Sequence, residues 1–164
     1  KYGGVIFWID PTSNNSEGLV CDINNQGFTS WSCANTVNTG ATGTAIGTGA
    51  ANTMAIISNS CTSSTGAANL VSALDLNGYD DWFLPSKDEL TEMYLKRNTI
   101  DAASALQGGS NLSNPGQPIS HWSSSQSTSD DSKAWIRLFV NGSENVVGKT
   151  VVITSRAVRA FSDF

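Results

Sequence analysis

The chain has 164 residues and a formal net charge of −5, and 14% of its residues are charged, whereas it contains 23 Ser, 15 Thr and 15 Asn. This length predicts a single domain, residues 1–164, with enough apolar residues for a core. No run approaches the roughly 20 apolar residues that cross a bilayer, and no Lys/Arg cluster suits a polyanion. We therefore expect no membrane insertion and no nucleic-acid partner.

Two strands are predicted near the N-terminus. Residues Val5–Ile9 are β-branched or aromatic, and Asp10-Pro11 ends the run, which predicts a largely buried strand. Residues Gly18–Cys21 predict a second short strand that pairs with the first as a hairpin. Residues 24–49 are rich in Gly, Thr and Asn and predict an ordered loop, because their glycines match no phosphate-binding motif.

Two short helices are predicted in the middle of the chain. Apolar residues at helical spacing predict the first over Asn52–Asn59, with Asn52 as its N-cap. The second is predicted over Thr65–Leu76, and Asn77-Gly78 is a helix stop signal.

The segment after these helices carries the clearest local signal. Ser86-Lys87-Asp88-Glu89 fits the capping box, in which a serine and a glutamate three residues later satisfy each other's backbone amides. We predict a helix over residues 87–97 from this motif and from the apolar face that follows it. Residues 101–106 predict one or two further helical turns.

Strand-like runs close the chain. They are residues 121–125, residues 134–140 followed by the hairpin turn Asn141-Gly142, residues 146–153 and residues 157–161. The run over 134–140 is apolar on both faces and predicts a strand with neighbours on both sides. Together these elements predict an α+β fold, with antiparallel strands from both termini in one sheet and short helices in the middle.

The three cysteines, Cys21, Cys33 and Cys61, permit at most one intrachain disulfide. Cys33–Cys61 would close a loop of about 28 residues and add on the order of 3 kcal/mol to stability. Cys21–Cys33 is the competing pair, and three reduced, buried thiols are the remaining alternative. The composition, typical of exported proteins, favours a disulfide, with Cys33–Cys61 as the first candidate.

His121 is the only histidine, so a Ser-His-Asp hydrolase would have to use it with Ser123–Ser125 and with Asp130 or Asp131. The chain has no G-x-S-x-G motif. Residues this close along one strand point to alternate faces and rarely form a triad. We therefore expect a packed or surface histidine and no enzyme.

An acidic cluster surrounds the predicted capping box: Asp80, Asp81, Asp88, Glu89 and Glu92. Helix capping and solvated charges are the leading interpretation. Calcium binding by Asp80 and Asp81 is the second, because Ca²⁺ prefers several oxygen ligands, and a carboxylate pair for glycoside hydrolysis is the third. Asp130-Asp131 is a weaker calcium candidate. The arginines Arg137, Arg156 and Arg159 are expected to pair with acids of this segment.

The loops over residues 107–118 and 126–133 are where we expect a ligand-binding surface, because loops on a rigid scaffold carry recognition. Their polar side chains are able to hydrogen-bond sugar hydroxyls, and a tryptophan beside them offers a ring for stacking. The candidate ligand-binding residues are Trp122, Ser124, Gln126, Asp130, Asp131 and Asn114.

Several motifs in a fixed order resemble one known family. The most specific are DWFLPSKDEL at Asp81–Leu90, WSSS at Trp122–Ser125 and VRAF at Val158–Phe161. With GGVIFWID, GLVC and GTAIGTGAANT, they are similar to the C-terminal domain of the Legionella collagen-like adhesin family. The resemblance covers the chain from Tyr2 to Phe161.

The resemblance implies a compact, C-type-lectin-like α+β domain whose termini lie near each other. It also implies an exported bacterial or phage domain at the tip of a longer fibrous protein, carbohydrate or glycosaminoglycan adhesion, and a homotrimer. A sulfated glycosaminoglycan requires a cationic surface. Because this chain is acidic, a neutral glycan or a protein receptor on another cell fits its charge better.

Our first hypothesis is a non-enzymatic, extracellular adhesion or receptor-binding domain that recognises a glycan or a cell surface. The alternative is a structural, trimerising tip of a surface or phage fibre without a small ligand of its own. Either function places the chain outside the bacterial cell, on its surface, or in the fibre of a phage virion.

Overall fold

The computed structural model describes residues 2–32, 36–60, 65–113 and 119–163, and these contain six strands and four helices. Strands lie at both ends of the chain and the helices between them, which confirms the predicted α+β class. The elements are β1 (Val5–Ile9), β2 (Glu17–Thr29), α1 (Gly49–Ser60), α2 (Ala67–Ser72), α3 (Lys87–Leu95), α4 (Arg97–Leu106), β3 (Ser120–Gln126), β4 (Lys133–Leu138), β5 (Glu144–Gly148) and β6 (Ile153–Ser162).

All six strands form one sheet in the order β1-β2-β6-β3-β4-β5. The pairs are antiparallel except β3–β6, which is parallel and is joined at His121 and Thr154. The β2–β6 pair joins the two ends of the chain and sets Glu17 opposite Ser162. The sheet thus contains strands from both termini, as predicted, and the C-type-lectin likeness stays a prediction.

The sheet carries a hydrophobic cluster on each face. Ala157 and Val158 follow each other along β6 and belong to different clusters, because successive strand residues point to opposite faces. One cluster includes Trp122 and residues of α1 and α2. The other includes Leu90 of α3 and Ile100 of α4. Among the described helices, none is long and apolar enough to cross a bilayer.

Helix α3 begins as the sequence predicts. The Glu89 amide donates to Ser86 Oγ at 3.3 Å, and the Ser86 amide donates to Glu89 Oε2 at 2.7 Å, which completes the capping box. The helix ends at Leu95, two residues before the predicted end. Helix α4 begins at Arg97 and is longer than the turns predicted over 101–106.

The two other helices differ from their predicted bounds. Helix α1 begins at Gly49, so Asn52 lies inside it and is not the N-cap. The Asn52 side chain instead donates to the Gly43 carbonyl at 2.7 Å and accepts from the Gly43 amide at 3.2 Å. Helix α2 ends at Ser72. Asn77 and Gly78 follow in a tight turn with φ angles of 57° and 81°.

The strand predicted over residues 146–153 is wrong, because the chain turns within it. Strand β5 ends at Gly148, whose carbonyl accepts from the Val151 amide at 3.0 Å, and Ile153 begins β6. The Asn141-Gly142 turn between β4 and β5 is confirmed by their antiparallel pairing. Strand β4 has neighbours on both sides, as predicted.

Cys21 is a free thiol and is fully buried, so the Cys21–Cys33 pair is not formed in this structure. Cys33 and Cys61 lie outside the described residues, and a disulfide between them stays a prediction.

Candidate ligand-binding groove

Three of the residues predicted to bind a ligand lie in the protein interior. Trp122 is fully buried, and its Nε1–H donates to the Thr29 carbonyl at 3.0 Å. Ser124 is also fully buried, and its Oγ accepts from the Asn52 side chain at 3.2 Å. Gln126 Oε1 accepts from Lys149 Nζ at 2.9 Å. These side chains therefore stabilise the scaffold, and a surface ligand does not reach them in this structure.

The remaining predicted residues lie in a turn or outside the described part. Asp130 Oδ1 accepts from the Ser132 hydroxyl at 2.6 Å and from its amide at 2.9 Å, which lowers the Asp130 pKa to about 2. Asp131 is exposed and accepts from the Gln126 side chain at 3.0 Å. Asn114 lies outside the described residues. The described members of the predicted set are thus divided between the core and this turn.

The aspartates predicted to bind calcium are both exposed, and one of them has a cationic partner. Both Asp81 carboxylate oxygens accept from the Arg159 guanidinium, at 2.5 and 2.8 Å. In the described ranges, no group of three or more His, Cys, Asp or Glu side chains is arranged to hold a metal ion. Asp81 is therefore held by Arg159, and calcium binding by Asp80 and Asp81 stays a prediction.

His121 of β3 is fully buried, in agreement with one of the two predicted alternatives, a packed histidine. Its Nε2 lies 3.0 Å from Asn25 Oδ1, and its ring meets Phe139 edge to face. Burial and, to a smaller extent, the charge of Arg156 together lower the His121 pKa to about 3. The nearby Ser123 hydroxyl donates to the Trp135 carbonyl and not to His121.

The three arginines meet different partners. Arg159 pairs with Asp81 of the acidic segment, as predicted. Arg137 pairs with Glu144, which lies on β5 and not in that segment, so this part of the prediction is wrong. Arg156 meets no carboxylate among the described residues: it donates to Asn25 Oδ1 and to the carbonyls of Asp22 and Ser110. The register of the sheet decides these partners.

A groove of about 660 Å³ lies at the end of the sheet where β1 ends, β2 begins and β6 ends. Four aromatic residues line it: Tyr2, Trp8 and Tyr79, which are half-buried, and Phe161, which is buried. The charged side chains in its lining are Asp10, Glu17, Asp81 and Arg159. We refer to this hollow as the strand-end groove.

Pairing within the sheet assembles the strand-end groove from distant parts of the chain. Gly18 of β2 faces Ile9 on one side and Phe161 on the other. A Cβ at Gly18 would lie 2.3 Å from the Trp8 carbonyl oxygen and 2.8 Å from the Phe161 ring. The missing side chain therefore lets the Phe161 ring lie against the strand, and Tyr2 stacks on that ring at 4.2 Å.

Arg159 closes one side of the groove with all of its donor nitrogens occupied. Nε and Nη2 donate to Asp81, and Nη1 donates to the Tyr2 carbonyl at 3.0 Å. The guanidinium lies 3.8 Å from the centre of the Tyr79 ring. The charge of Arg159 is thus balanced within the groove wall.

The other two carboxylates of the groove are not balanced in this way. Asp10 Oδ1 accepts from the Thr12 hydroxyl and amide, both at 2.7 Å, and these hydrogen bonds lower the Asp10 pKa below its ordinary value. Glu17 is half-buried at the start of β2. Within the described part of the chain, neither Asp10 nor Glu17 forms an ion pair.

A buried glutamate positions the loop on the opposite wall, which contains Ile46 and Gly47. Glu89 Oε1 accepts from the Gly47 amide at 2.8 Å, and its Oε2 accepts from the Ser86 amide. Burial raises the Glu89 pKa, and these amides oppose the rise. A Cβ at Gly49 would lie 2.3 Å from Glu89 Oε2, so the loop fits closely around the carboxylate.

Sequence reasoning missed the strand-end groove and also Lys149. Trp8 and Phe161 were visible only as strand residues, because their shared position depends on how β1, β2 and β6 pair. Lys149 is buried, and its Nζ lies 4.6 Å from the centre of the Trp31 ring and donates to the Val37 carbonyl at 2.8 Å. Lys149 directly follows the end of β5, and nothing in the sequence around it indicated that its side chain is buried.

The fold and the strand-end groove define a mixed α+β domain with a concave, partly aromatic candidate site. The chain belongs to the family described as the Lcl C-terminal domain, whose model matches residues 18–159. This match confirms the family resemblance seen in the motifs, and the family implies an adhesin-related function and a surface or secreted protein. A comparison with curated proteins gives no match. Trp8, Asp10, Glu17 and Phe161 of the groove lie outside the matched range.

Proposed function

We propose that this chain is a non-enzymatic, extracellular adhesion or receptor-binding domain that recognises a glycan in the strand-end groove. The observation that carries the proposal is the grouping of three half-buried aromatic residues, Tyr2, Trp8 and Tyr79, with carboxylates in one open hollow. Sugar rings present apolar C–H faces that stack on aromatic side chains. Their hydroxyls donate hydrogen bonds, for which carboxylates are strong acceptors.

The size and the family of the domain support the same proposal. A volume of about 660 Å³ falls within the range of known small-molecule sites, roughly 300–1,000 Å³. Membership of an adhesin-related family supports a role in recognition. Such a site acts on the surface of a bacterial cell, outside the cell, or on a phage fibre. In a homotrimer, three weak sites would add avidity.

A glycan array followed by calorimetric titration of the best ligand tests this proposal. Trp8→Ala removes a half-buried ring of the groove, and we expect binding to weaken about tenfold or more, which corresponds to about 1.4 kcal/mol. Trp135→Ala is the matched control, because Trp135 is a half-buried tryptophan on β4 outside the groove lining. An array without any ligand, or equal losses in both variants, would contradict the proposal.

A structural, trimerising fibre tip is the second candidate, and an apolar surface favours it. Phe28 is 72% exposed and Val152 is 62% exposed. Phe28 of β2 pairs with Thr154 of β6, and Val152 lies two residues before Thr154. The Phe28 and Val152 side chains are therefore at the same end of the sheet. We propose a second copy of the chain as the occupant, since apolar surface of this kind marks interfaces.

Light scattering distinguishes this candidate from a monomeric binding domain. A trimer that dissociates in the double variant Phe28→Ser, Val152→Ser, together with a silent glycan array, would favour the fibre tip. A monomer at all concentrations would contradict it.

A further inference from the structure

The strand-end groove contains more negative than positive charge. Asp10, Glu17 and Asp81 line it together with one cation, Arg159. Asp81 and Arg159 neutralise each other through two hydrogen bonds. Asp10 and Glu17 therefore leave two negative charges without a cationic partner among the described residues.

Three of the five N–H groups of Arg159 are bound within the groove wall, and its charge is paired with Asp81. Its Nη1 donates to the Tyr2 carbonyl, and the other two nitrogens donate to Asp81. A sulfate or carboxylate in the groove would therefore meet the two unpaired carboxylates, while Arg159, the cation among the described lining residues, is already paired with Asp81, and this is unfavourable at short range. An ammonium group would instead meet hydrogen-bond acceptors of opposite charge beside aromatic rings, an arrangement that stabilises cations.

We propose that the strand-end groove selects glycans that carry free ammonium groups, such as oligomers of glucosamine without N-acetyl groups, and rejects sulfated glycans. Glu17 and Asp10 bind the ammonium group, and the half-buried Trp8 ring contacts the sugar face. This inference rests on the proposed function and adds the chemical class of the ligand. A domain with this specificity recognises de-N-acetylated polysaccharide on another surface.

The backbone holds the two unpaired acidic residues of the groove close together. Asp10 and Glu17 lie at the two ends of the turn between β1 and β2, and the Asp10 amide donates to the Glu17 carbonyl at 2.9 Å. That contact holds the two acidic residues next to each other. Both lie before residue 18, where the family match begins, so the acidic pair is not part of the matched region.

Titration calorimetry with four probes tests the proposal on the whole chain. The probes are a glucosamine tetramer, an N-acetylglucosamine tetramer, a heparin tetrasaccharide and a lysine-containing tetrapeptide. We expect the glucosamine tetramer to bind about tenfold or more tighter than its N-acetylated form. We also expect its affinity to fall at higher salt, because screening weakens charge pairing, and heparin not to bind.

Charge-removing variants identify the groups responsible. Glu17→Gln keeps the shape of the side chain, and we expect the ammonium preference to shrink to about twofold or less, with binding of the N-acetylated tetramer retained. Asp10→Asn is the second variant, although it also alters the turn through Thr12. Asp131→Asn is the control, because it removes the same charge from an exposed acid outside the groove lining.

The outcomes separate this inference from the proposed function. Equal binding of the two tetramers, with Trp8→Ala still weakening both, would overturn the ammonium selectivity and leave glycan recognition intact. Tighter binding of heparin, or a loss caused by Asp131→Asn and not by Glu17→Gln, would overturn the assignment to this groove. Tighter binding of the peptide would overturn a glycan as the source of the ammonium. Failure of all three glycan probes would overturn the ammonium selectivity, and a silent glycan array in addition would overturn the proposed function.

Discussion

Arg159 of β6 is bound to Asp81 through two parallel hydrogen bonds, 2.5 Å from Nε to Oδ1 and 2.8 Å from Nη2 to Oδ2. The arginine side chain is 9% exposed and the aspartate side chain is 52% exposed, so the pair joins the interior to the surface. The guanidinium also lies over the Tyr79 ring at 3.8 Å. This pair therefore holds the segment before α3 against the last strand of the sheet.

Replacing Arg159 by lysine is expected to destabilise the domain although the charge is kept. Arg159→Lys loses the parallel pair of hydrogen bonds, the contact with the Tyr2 carbonyl and the stacking on Tyr79. We expect a loss of about 1–3 kcal/mol in the free energy of unfolding, measured by urea denaturation. Lys133→Ala, which breaks the exposed Lys133–Asp130 pair, should cost less than about 1 kcal/mol. Equal losses in the two variants would contradict a special role for Arg159.

Removing the charge of Glu89 is expected to loosen the loop that forms one wall of the groove. Glu89→Gln keeps the size of the side chain and loses a carboxylate acceptor for the amides of Gly47 and Ser86. We expect a loss of about 1–3 kcal/mol in stability and weaker ligand binding. The control is Asp88→Asn, which changes a more exposed acid in the same helical turn. Hydrogen exchange that is unchanged at Gly47 in Glu89→Gln would speak against this role.

His121 is expected to lower the stability of the domain in mild acid, at pH values where most carboxylates are still ionised. Its pKa is about 3 in the folded state, below the ordinary value of 6.5, so the folded imidazole stays neutral while the unfolded one takes up a proton below pH 6.5. The free energy of unfolding therefore falls as the pH drops from 6.5 towards 3, with His121 contributing up to about 1.4 kcal/mol per pH unit.

Urea denaturation at pH 6.5, 5.5 and 4.5 checks this, with His121→Gln as the comparison. The variant should be less stable at pH 6.5 and should lose less stability on acidification. Burial raises the Glu89 pKa and gives a slope of opposite sign, but Glu89 is present in both proteins and cancels in the difference. Parallel pH profiles would refute the contribution of His121.

The thiols are expected to react in two groups. Burial raises the Cys21 pKa to about 12, so iodoacetamide should not label Cys21 in the folded protein. In denaturant without reductant we expect one label per chain, and after reduction three, if Cys33 and Cys61 form the predicted disulfide. Cys21→Ala should lower each count by one. Three labels without reductant would exclude the disulfide.

Local motifs determined much of the fold from the sequence alone. The capping box at Ser86 and Glu89 specifies where α3 begins, because both partners lie within one helical turn. The Asn141-Gly142 turn and the apolar run before it define the β4–β5 hairpin, because a hairpin turn also joins residues that are close in sequence. The order of the motifs also identified the family. Elements without such signals were predicted with wrong bounds: β5, for example, ends at Gly148 and not at residue 153.

The candidate site required the tertiary structure. The strand-end groove combines Trp8 and Glu17 with Phe161, which is far from both in sequence and meets them only through the register of β1, β2 and β6. Composition pointed instead to Trp122 and Ser124, which the sheet buries. Sequence patterns indicate interactions between residues that are close in the chain. Which side chains share a surface, and which charges remain unpaired there, depends on long-range strand pairing, and only the folded structure decided it.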